Sequence, residues 1–203
     1  MSRLRVASIV EGHGEVSSVP ILLDRIWREV IHGEYVDILR PPIRQPRDRL
    51  AHNKNDALVK AVGLAAAKLN AAAESEDPEV ILVLIDADKD LPCVLGPQLL
   101  RIAQDARKDK AIACVTANVE YETWFAAAAG SLTEYLDLSE DEQLPTDPEA
   151  RRLGKGWIER RFKGVKYSET VDQPRLTAKM DLRDCRQHSP SFDKLCRELE
   201  RFR

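Results

Sequence analysis

Carboxylates recur directly after apolar, strand-like segments of this chain. These acids are Glu11 after Leu4 to Val10, Asp86 and Asp88 after Val80 to Ile85, and Glu120 and Glu122 after Ala111 to Val119. Carboxylates that are brought together repel one another, and their proton affinity rises unless a cation neutralises them. Mg²⁺ is a hard cation that binds through one or two carboxylates, waters and phosphate oxygens. The pattern therefore predicts a magnesium site if the three segments end at one edge of a sheet.

The apolar segments alternate with helical patterns, as is typical of a parallel α/β sheet. A second strand is predicted at Tyr35 to Leu39, and helices are predicted at Glu15 to Val30, Ala57 to Ala73, Pro97 to Arg107 and Glu120 to Ala129. Crossovers of about ten or more residues and unbroken apolar strands favour parallel strands that are buried on both faces. We therefore predict a doubly wound, mainly parallel four-stranded sheet of the Rossmann type, with Val80 to Ile85 as its central strand.

The pattern changes after Gly130. Acidic residues recur from Glu134 to Glu149, basic residues follow from Arg151 to Lys166, and Ser191 to Phe202 has the spacing of an amphipathic helix. We therefore predict an α/β domain at residues 1–130 and a C-terminal helical extension at residues 131–203, packed on the same domain.

The strand order decides whether the acids meet. In an open parallel sheet, sites form beyond the carboxyl ends of the strands, where the strand order reverses. If the order is 2-1-3-4, Glu11 faces Asp86 and Asp88 across that crevice. Each acid alone has a simpler explanation: Asp86 and Asp88 as a turn and helix cap, Glu11 and Glu15 as acids near a helix N-terminus, and Glu122 as a solvated side chain. The convergence of three strand ends is what favours a site.

Two motifs resemble a known family. Glu11–Glu15 (EGHGE) after a strand, followed by Leu84–Asp88 (LIDAD), resembles the signature motifs of the Toprim domain of topoisomerases, primases, and the overcoming-lysogenization-defect and RloB-like nucleases. The segment Glu122–Trp124 is similar to a third motif of small Toprim proteins from bacterial defence loci. The chain as a whole resembles the DUF4276 family, whose C-terminal pattern is matched by Tyr167, Leu176–Thr177 and Ser189–Phe192.

The resemblance implies roles for individual acids. Glu11 would serve as a general acid/base or as a metal ligand. Asp86 and Asp88 would hold Mg²⁺ or Mn²⁺, with Asp90 as an outer ligand, and Glu15 and Glu122 would hold a second ion. Two ions can stabilise the attacking and leaving oxygens of phosphodiester cleavage. No tyrosine has the spacing of a topoisomerase nucleophile, which disfavours strand passage.

Basic residues form two groups that suit phosphate contacts and base stacking. The nucleic-acid-binding candidates are Arg40, Arg44 and Arg47 after the second strand, and Arg152, Lys155, Trp157 and Arg161 in the basic stretch. The second group could equally be a solvated helix face with Trp157 docked on the core. Lys89 and Lys179 are the candidates for stabilising the charge that develops on phosphate.

Composition narrows the function classes. The net charge of −3, with 43% hydrophobic and 32% charged residues, is typical of a globular protein. The chain has no apolar run of about eighteen residues, so we expect no membrane span, and we expect a cytoplasmic location because the N-terminus lacks a signal-peptide pattern. The four cysteines include no CxxC pair, which disfavours zinc and disulfides.

These observations lead to an expected function with alternatives. We expect a Mg²⁺-dependent nuclease that acts on DNA or RNA, as the effector of a bacterial anti-phage defence system. Its ATPase partner would be a separate chain because this one carries no Walker A pattern, and a homodimer is left open. The alternatives are a phosphatase of the haloacid-dehalogenase type, a nucleotide-sugar transferase, and a non-catalytic interaction subunit that uses the basic surface only for binding.

Overall fold

The structure is a computed structural model that describes residues 3–72, 77–139 and 144–203. Its strands are β1 (Arg3–Val10), β2 (Tyr35–Arg44), β3 (Glu79–Asp86) and β4 (Ala111–Ala117). They form one sheet in the order β2-β1-β3-β4, and every pair of neighbours is parallel. The predicted α/β class, with a four-stranded parallel sheet, is confirmed.

The third strand is the buried centre of this sheet. Residues 80–85 are all buried, and β3 pairs with β1 on one side and β4 on the other. Its side chains alternate between two cores: Val80, Leu82 and Leu84 join one, and the residues between them join the other. Because both faces are covered, the strand needs apolar residues at every position, which explains its unbroken apolar run.

Helices cover both faces of the sheet. The helices are α1 (His13–Arg25), continued by a π-helical turn at Ile26–Val30, α2 (Arg47–Ala51), α3 (Ala57–Ala71), α4 (Pro92–Ala106), α5 (Glu122–Ala127), α6 (Lys155–Arg161), α7 (Asp172–Lys179), α8 (Leu182–His188) and α9 (Pro190–Glu200). Helices α3 and α4 bury their apolar sides against one face, and α1 with α5 to α9 covers the other. Short 3₁₀ turns lie at Lys54–Asp56 and Ala129–Leu132.

Several predicted boundaries are wrong. The basic segment after Leu39, predicted as a loop, continues β2 as far as Arg44, because an edge strand tolerates its two prolines. Helix α4 begins at Pro92 instead of Pro97, with the first proline at the start of the helix, where its missing N–H costs nothing. The predicted end of the alanine-rich helix at Ala73 lies outside the described residues.

The C-terminal helices share a core with the sheet. Leu176, Phe192 and Leu195 lie in the same apolar cluster as Leu4 and Leu22. Helix α9 begins at Pro190, where the Ser189 hydroxyl accepts a hydrogen bond from the Phe192 N–H and so caps the helix. Residues 144–203 therefore pack directly on the α1 face. Within the described residues, every helix is too short or too polar to cross a bilayer.

Candidate functional site

Two glycines at the start of α1 position the first acids. A Cβ atom on Gly12 would overlap the carboxylate of Glu15, and one on Gly14 would overlap the side chain of Gln173 and lie 2.9 Å from the Glu169 carbonyl oxygen. Neither glycine has a positive φ, so the lack of a side chain matters here through close approach. The motif therefore lets Glu15 fold back over the end of β1 and lets the segment before α7 contact α1.

Glu11 and Asp86 meet at the carboxyl edge of the sheet, as the strand order led us to expect. The Asp86 N–H donates to Glu11 Oε2 at 3.2 Å, and the Tyr121 N–H donates to Asp86 Oδ1 at 2.9 Å. The second oxygen of each carboxylate, Glu11 Oε1 and Asp86 Oδ2, accepts no hydrogen bond from the described residues. Each side chain is thus anchored through one oxygen, which leaves the other available for a ligand.

Negative charge accumulates along this edge. Burial and the charges of Glu15 and Asp88 raise the pKa of Glu11 to about 8, against a lowering hydrogen bond from the Asp86 N–H. Burial, then the charges of Glu11, Glu122 and Glu15, raises the pKa of Asp86 well above its ordinary value. Burial likewise raises the pKa of Glu15, and it raises the pKa of Glu122 to about 7. We call Glu11, Glu15, Asp86 and Glu122 the acidic row.

Arg47 holds the two aspartates that follow the row. Its guanidinium lies 3.0 Å from Asp88 Oδ2, pairs with Asp90, and donates to the carbonyl oxygens of Asp86 at 3.1 Å and Ala87 at 2.7 Å. Only 14% of the Arg47 side chain is exposed. Asp88 itself has a left-handed backbone, with φ at 50°. Sequence reasoning assigned Arg47 to nucleic acid and both aspartates to metal, whereas the structure pairs them with one another.

The donor set suits a hard cation only in part. Among the described residues, no three His, Cys, Asp or Glu side chains are grouped as the ligands of one ion. The acidic row nevertheless offers only hard oxygen donors, and burial and like charge raise the pKa of each acid. Mg²⁺ often takes one or two carboxylates and completes its shell with water and phosphate. The residues fit an ion that is held in that way, by Asp86 with Glu11 beside it, rather than by a closed protein cage.

The C-terminal region fixes one end of the row. Tyr167 Oη donates to Glu122 Oε1 at 2.8 Å, and Gln173 Nε2 donates to the same oxygen at 3.3 Å. The Ser18 hydroxyl donates to Gln173 Oε1 at 2.9 Å and to the Gly14 carbonyl oxygen at 3.0 Å. These neutral donors tie α7 to α1 and hold Glu122 in place beside Glu15.

The sequence of the chain matches a family profile over most of its length. The sequence profile described as a domain of unknown function (DUF4276) matches residues 10–200. The chain belongs to the DUF4276 family. No curated protein and no solved structure matches it.

Three predicted basic residues of this DUF4276 chain lie beside the acids. Arg44 Nη1 donates to the Glu11 carbonyl oxygen at 3.3 Å, and Arg152 Nη2 donates to the Asp88 carbonyl oxygen at 2.6 Å. Lys89 is exposed and lines the same cleft as Arg152. All three therefore place positive charge near Glu11 and Asp88.

Other predicted basic residues are elsewhere or already paired. Lys155 Nζ lies 2.6 Å from Glu169 Oε1, and Arg40 lines a groove between α1 and β2. Lys179 lies with Arg25 and Glu29 at the far end of α1, about 20 Å along the helix from the acidic row. The catalytic role predicted for Lys179 does not fit this placement.

Trp157 is buried and does not present its ring for base stacking. Its exposed fraction is 6%, and the Arg161 guanidinium covers the ring at 4.3 Å from the centroid. The sequence left two interpretations of Trp157 open, and docking on the core is the one observed. The ring belongs to the apolar cluster that α6 shares with the α1 face of the sheet.

Two residues near the row were missed by sequence reasoning. The charge of Glu169 raises the pKa of both Glu15 and Glu122, and Gln173 bonds to Glu122. Neither follows a strand, so no local pattern marks them. The one feature of the sequence that points to this region is Tyr167, which belongs to the C-terminal pattern by which the chain resembles the family.

Proposed function

We propose that this DUF4276 chain is a Mg²⁺- or Mn²⁺-dependent nuclease that cleaves phosphodiester bonds at the acidic row. The observation that carries the proposal is the contact between Glu11 and Asp86, with Glu15 and Glu122 close enough to raise the pKa of Asp86. Such charge is costly to bury without a cation. Clusters of perturbed carboxylates in a cleft mark functional sites more often than structural ones.

The acids have separate roles in this proposal. Asp86 would hold one divalent ion, and Glu15 and Glu122 would hold a second. A bound divalent ion lowers the pKa of water and stabilises charge on phosphate. The pKa of Glu11, about 8 without a metal, would fall beside a bound cation, and the ionised carboxylate would then accept a proton from the attacking water. Lys89 and Arg152 contact the phosphate oxygens from the outer side of the cleft.

The Toprim resemblance supports this assignment of roles. Its first motif ends β1 and its second ends β3, and the two strands are neighbours in the sheet. We extend the proposal to the effector of an anti-phage defence system with a separate ATPase as partner, because the Glu122–Trp124 segment resembles a motif of Toprim proteins from such loci. Nucleic acid, as DNA or RNA, is the proposed substrate.

A cleavage assay tests the proposal. Purified protein is incubated with single-stranded DNA, duplex DNA and total tRNA, each with Mg²⁺, with Mn²⁺ and with EDTA, alone and together with a candidate ATPase partner. We expect metal-dependent cleavage that Glu11→Gln or Asp86→Asn reduces at least about a hundredfold. Asp105→Asn, a matched change at an exposed acid of α4, should cleave like the wild type. A wild-type protein that cleaves none of these would sink the proposal.

A non-catalytic binding subunit is the second candidate. The observation in its favour is Arg47, which pairs with both Asp88 and Asp90, two of the acids that were predicted to hold a metal. In that case Glu11→Gln should bind nucleic acid as tightly as the wild type or more tightly, and neither protein should cleave. Cleavage by the wild type that requires Glu11 excludes this candidate.

A further inference from the structure

A groove lies over the start of α4, next to residues that adjoin the acidic row in sequence. Its inner part, of about 380 Å³, is lined by Asp88, Glu120 and Arg152 among others, and its outer part, of about 320 Å³, is lined by Leu91 and Val94. His52, Lys89 and Asp90 line both parts, so the two parts adjoin. We call the whole the α4 groove. Each part has the size of a small-ligand pocket.

The outer part presents apolar surface to solvent. Leu91 is 64% exposed and Val94 is 59% exposed, and both line the outer part, Leu91 as the residue before α4 and Val94 in its first turn. Leaving such side chains in water has a cost of about 25 cal/mol for each Å² of apolar surface. Polar His52 and Gln98 flank them. This combination suits the flat face of a ring that also carries hydrogen-bonding edges.

The inner part holds two cations that have no carboxylate partner. Among the described residues, neither Lys89 nor Arg152 forms an ion pair. Arg152 is nevertheless fixed in position, because it donates to the Asp88 carbonyl oxygen and its backbone is left-handed, with φ at 51°. Three carboxylates also line the inner part: Asp88 and Asp90 both pair with Arg47, and Glu120 accepts a hydrogen bond from the Lys155 N–H at 2.6 Å, so none of them is paired with Lys89 or Arg152. The two cations are therefore available to an anion that lies between the acidic row and the apolar surface.

We propose that the α4 groove binds one unpaired nucleotide of a single-stranded nucleic acid. Its base lies on Leu91 and Val94, and its phosphate lies against Lys89 and Arg152, next to the scissile position. A base within a duplex would have to be unstacked and unpaired to enter, at a cost that a single strand does not pay. The inference deepens the proposed function, on which it rests, by naming the substrate class as single-stranded.

Binding measurements test the groove without relying on cleavage. Fluorescence anisotropy is recorded in EDTA for a labelled single strand of about twelve nucleotides and for the matching duplex. We expect tighter binding of the single strand. The variant Leu91→Ser/Val94→Ser should raise the Kd for the single strand about tenfold, because base stacking on apolar surface is lost. The matched control is Val59→Ser/Leu64→Ser, two exposed apolar residues of α3 away from the groove.

The charged part of the groove has its own readout. Lys89→Gln should weaken binding and reduce the slope of log Kd against log salt by about one ion, whereas the Leu91→Ser/Val94→Ser variant should keep the wild-type slope. Circular dichroism checks that each variant is folded, and all four substituted apolar positions are exposed.

The outcomes separate the groove from the nuclease proposal. Metal-dependent cleavage by the wild type, with equal binding of single strand and duplex and no effect of Leu91→Ser/Val94→Ser, overturns the groove and leaves the nuclease standing. Single-strand binding that this variant weakens, in a protein that cleaves nothing, supports the groove and removes the nuclease. A wild type that binds neither nucleic acid overturns the groove, and its apolar surface would then have to be assigned to contact with another protein chain.

Discussion

Two regions of the molecule bury carboxylates in different ways. Glu149, which is 6% exposed, accepts hydrogen bonds from the Ser189 hydroxyl, from the N–H and hydroxyl of Ser191 at 2.9 and 2.7 Å, and from Asn118 Nδ2 at 3.0 Å. Glu11 and Asp86 each accept one backbone hydrogen bond and face other acids. The first region surrounds its carboxylate with neutral hydrogen-bond donors, whereas the second gives Glu11 and Asp86 a single donor each.

The difference teaches how to separate structural acids from functional ones. Glu149 joins the loop before α6 to the start of α9, and its four donors leave little capacity for a ligand. The acidic row has spare oxygens and a charge that the surrounding protein does not neutralise. Burial alone would not distinguish the two regions, whereas counting donors for each carboxylate does.

The largest effect is expected where a structural acid is removed. Glu149→Ala leaves the donors of Ser189, Ser191 and Asn118 without their acceptor, so we expect the free energy of unfolding to fall by about 3 kcal/mol. Urea denaturation measures this, with exposed Glu134→Ala as the control. A loss as small as that of the control would mean that the network does not stabilise the fold and would break the comparison.

The acidic row should make the stability of the protein fall as the pH rises. In the metal-free protein the pKa of Glu11 is about 8 when folded, against an ordinary value of 4.5, so the folded state holds its proton more tightly than the unfolded chain. The stabilisation from that proton is complete below the ordinary value and is lost as the pH rises through the folded pKa. Glu11→Gln should therefore match the wild type in stability near pH 4.5 and exceed it by an amount that grows as the pH rises to 8.

Urea denaturation of both proteins in EDTA across this pH range measures the difference. Added Mg²⁺ should remove most of it if the ion binds at the row. If the stabilities of the two proteins change in parallel from pH 4.5 to pH 8, the surroundings of Glu11 do not disfavour its charged form.

Asp86 and Asp88 should differ in how much each contributes to metal binding. Asp86→Asn should weaken Mn²⁺ binding at least about tenfold, because Asp86 has an oxygen left for a ligand. Asp88→Asn should change it less than about threefold, since Arg47 already holds Asp88. Isothermal titration calorimetry measures both. An equal loss in the two variants would mean that Asp88 leaves Arg47 when metal binds.

The smallest effect is expected at the contact between the two regions. Tyr167→Phe removes the hydrogen bond to Glu122 Oε1 and should lower the free energy of unfolding by about 1 kcal/mol at pH 8. The effect should be smaller at pH 5, because the pKa of Glu122 is about 7 and a protonated carboxyl is a weaker acceptor. Tyr35→Phe, at an exposed tyrosine, is the matched control. Equal losses at both pH values would contradict the assigned partner.

The sequence predicted the sheet better than the site. The unbroken apolar run at residues 80–85 can be satisfied only by a strand covered on both faces, so its central position followed from composition. The meeting of Glu11 with Asp86 followed from strand ends that share an edge. The first inference depends on a local pattern, whereas the second also required β1 and β3 to be neighbours in the sheet, as they are.

The rest depended on contacts between distant segments. Arg47 looks like its neighbours Arg44 and Arg49 in sequence, and only the turn after β3 selects it as the partner of Asp88. The hydrogen bonds of Tyr167 and Gln173 to Glu122 arise from the docking of α7 on α1. No spacing rule predicts such pairs, because their residues are adjacent only in the folded chain.

The contact that Gly14 permits has a consequence for how the protein is made. Ser18 and Gln173, which share a hydrogen bond there, are 155 residues apart. A ribosome releases the chain from its N-terminus, so Glu11 and Asp86 emerge well before the segment that carries Tyr167 and Gln173. Until that segment is translated, Glu122 lacks both side-chain donors. The acidic row thus reaches its final arrangement late in synthesis, and a prematurely terminated chain that ends before Tyr167 cannot reach it.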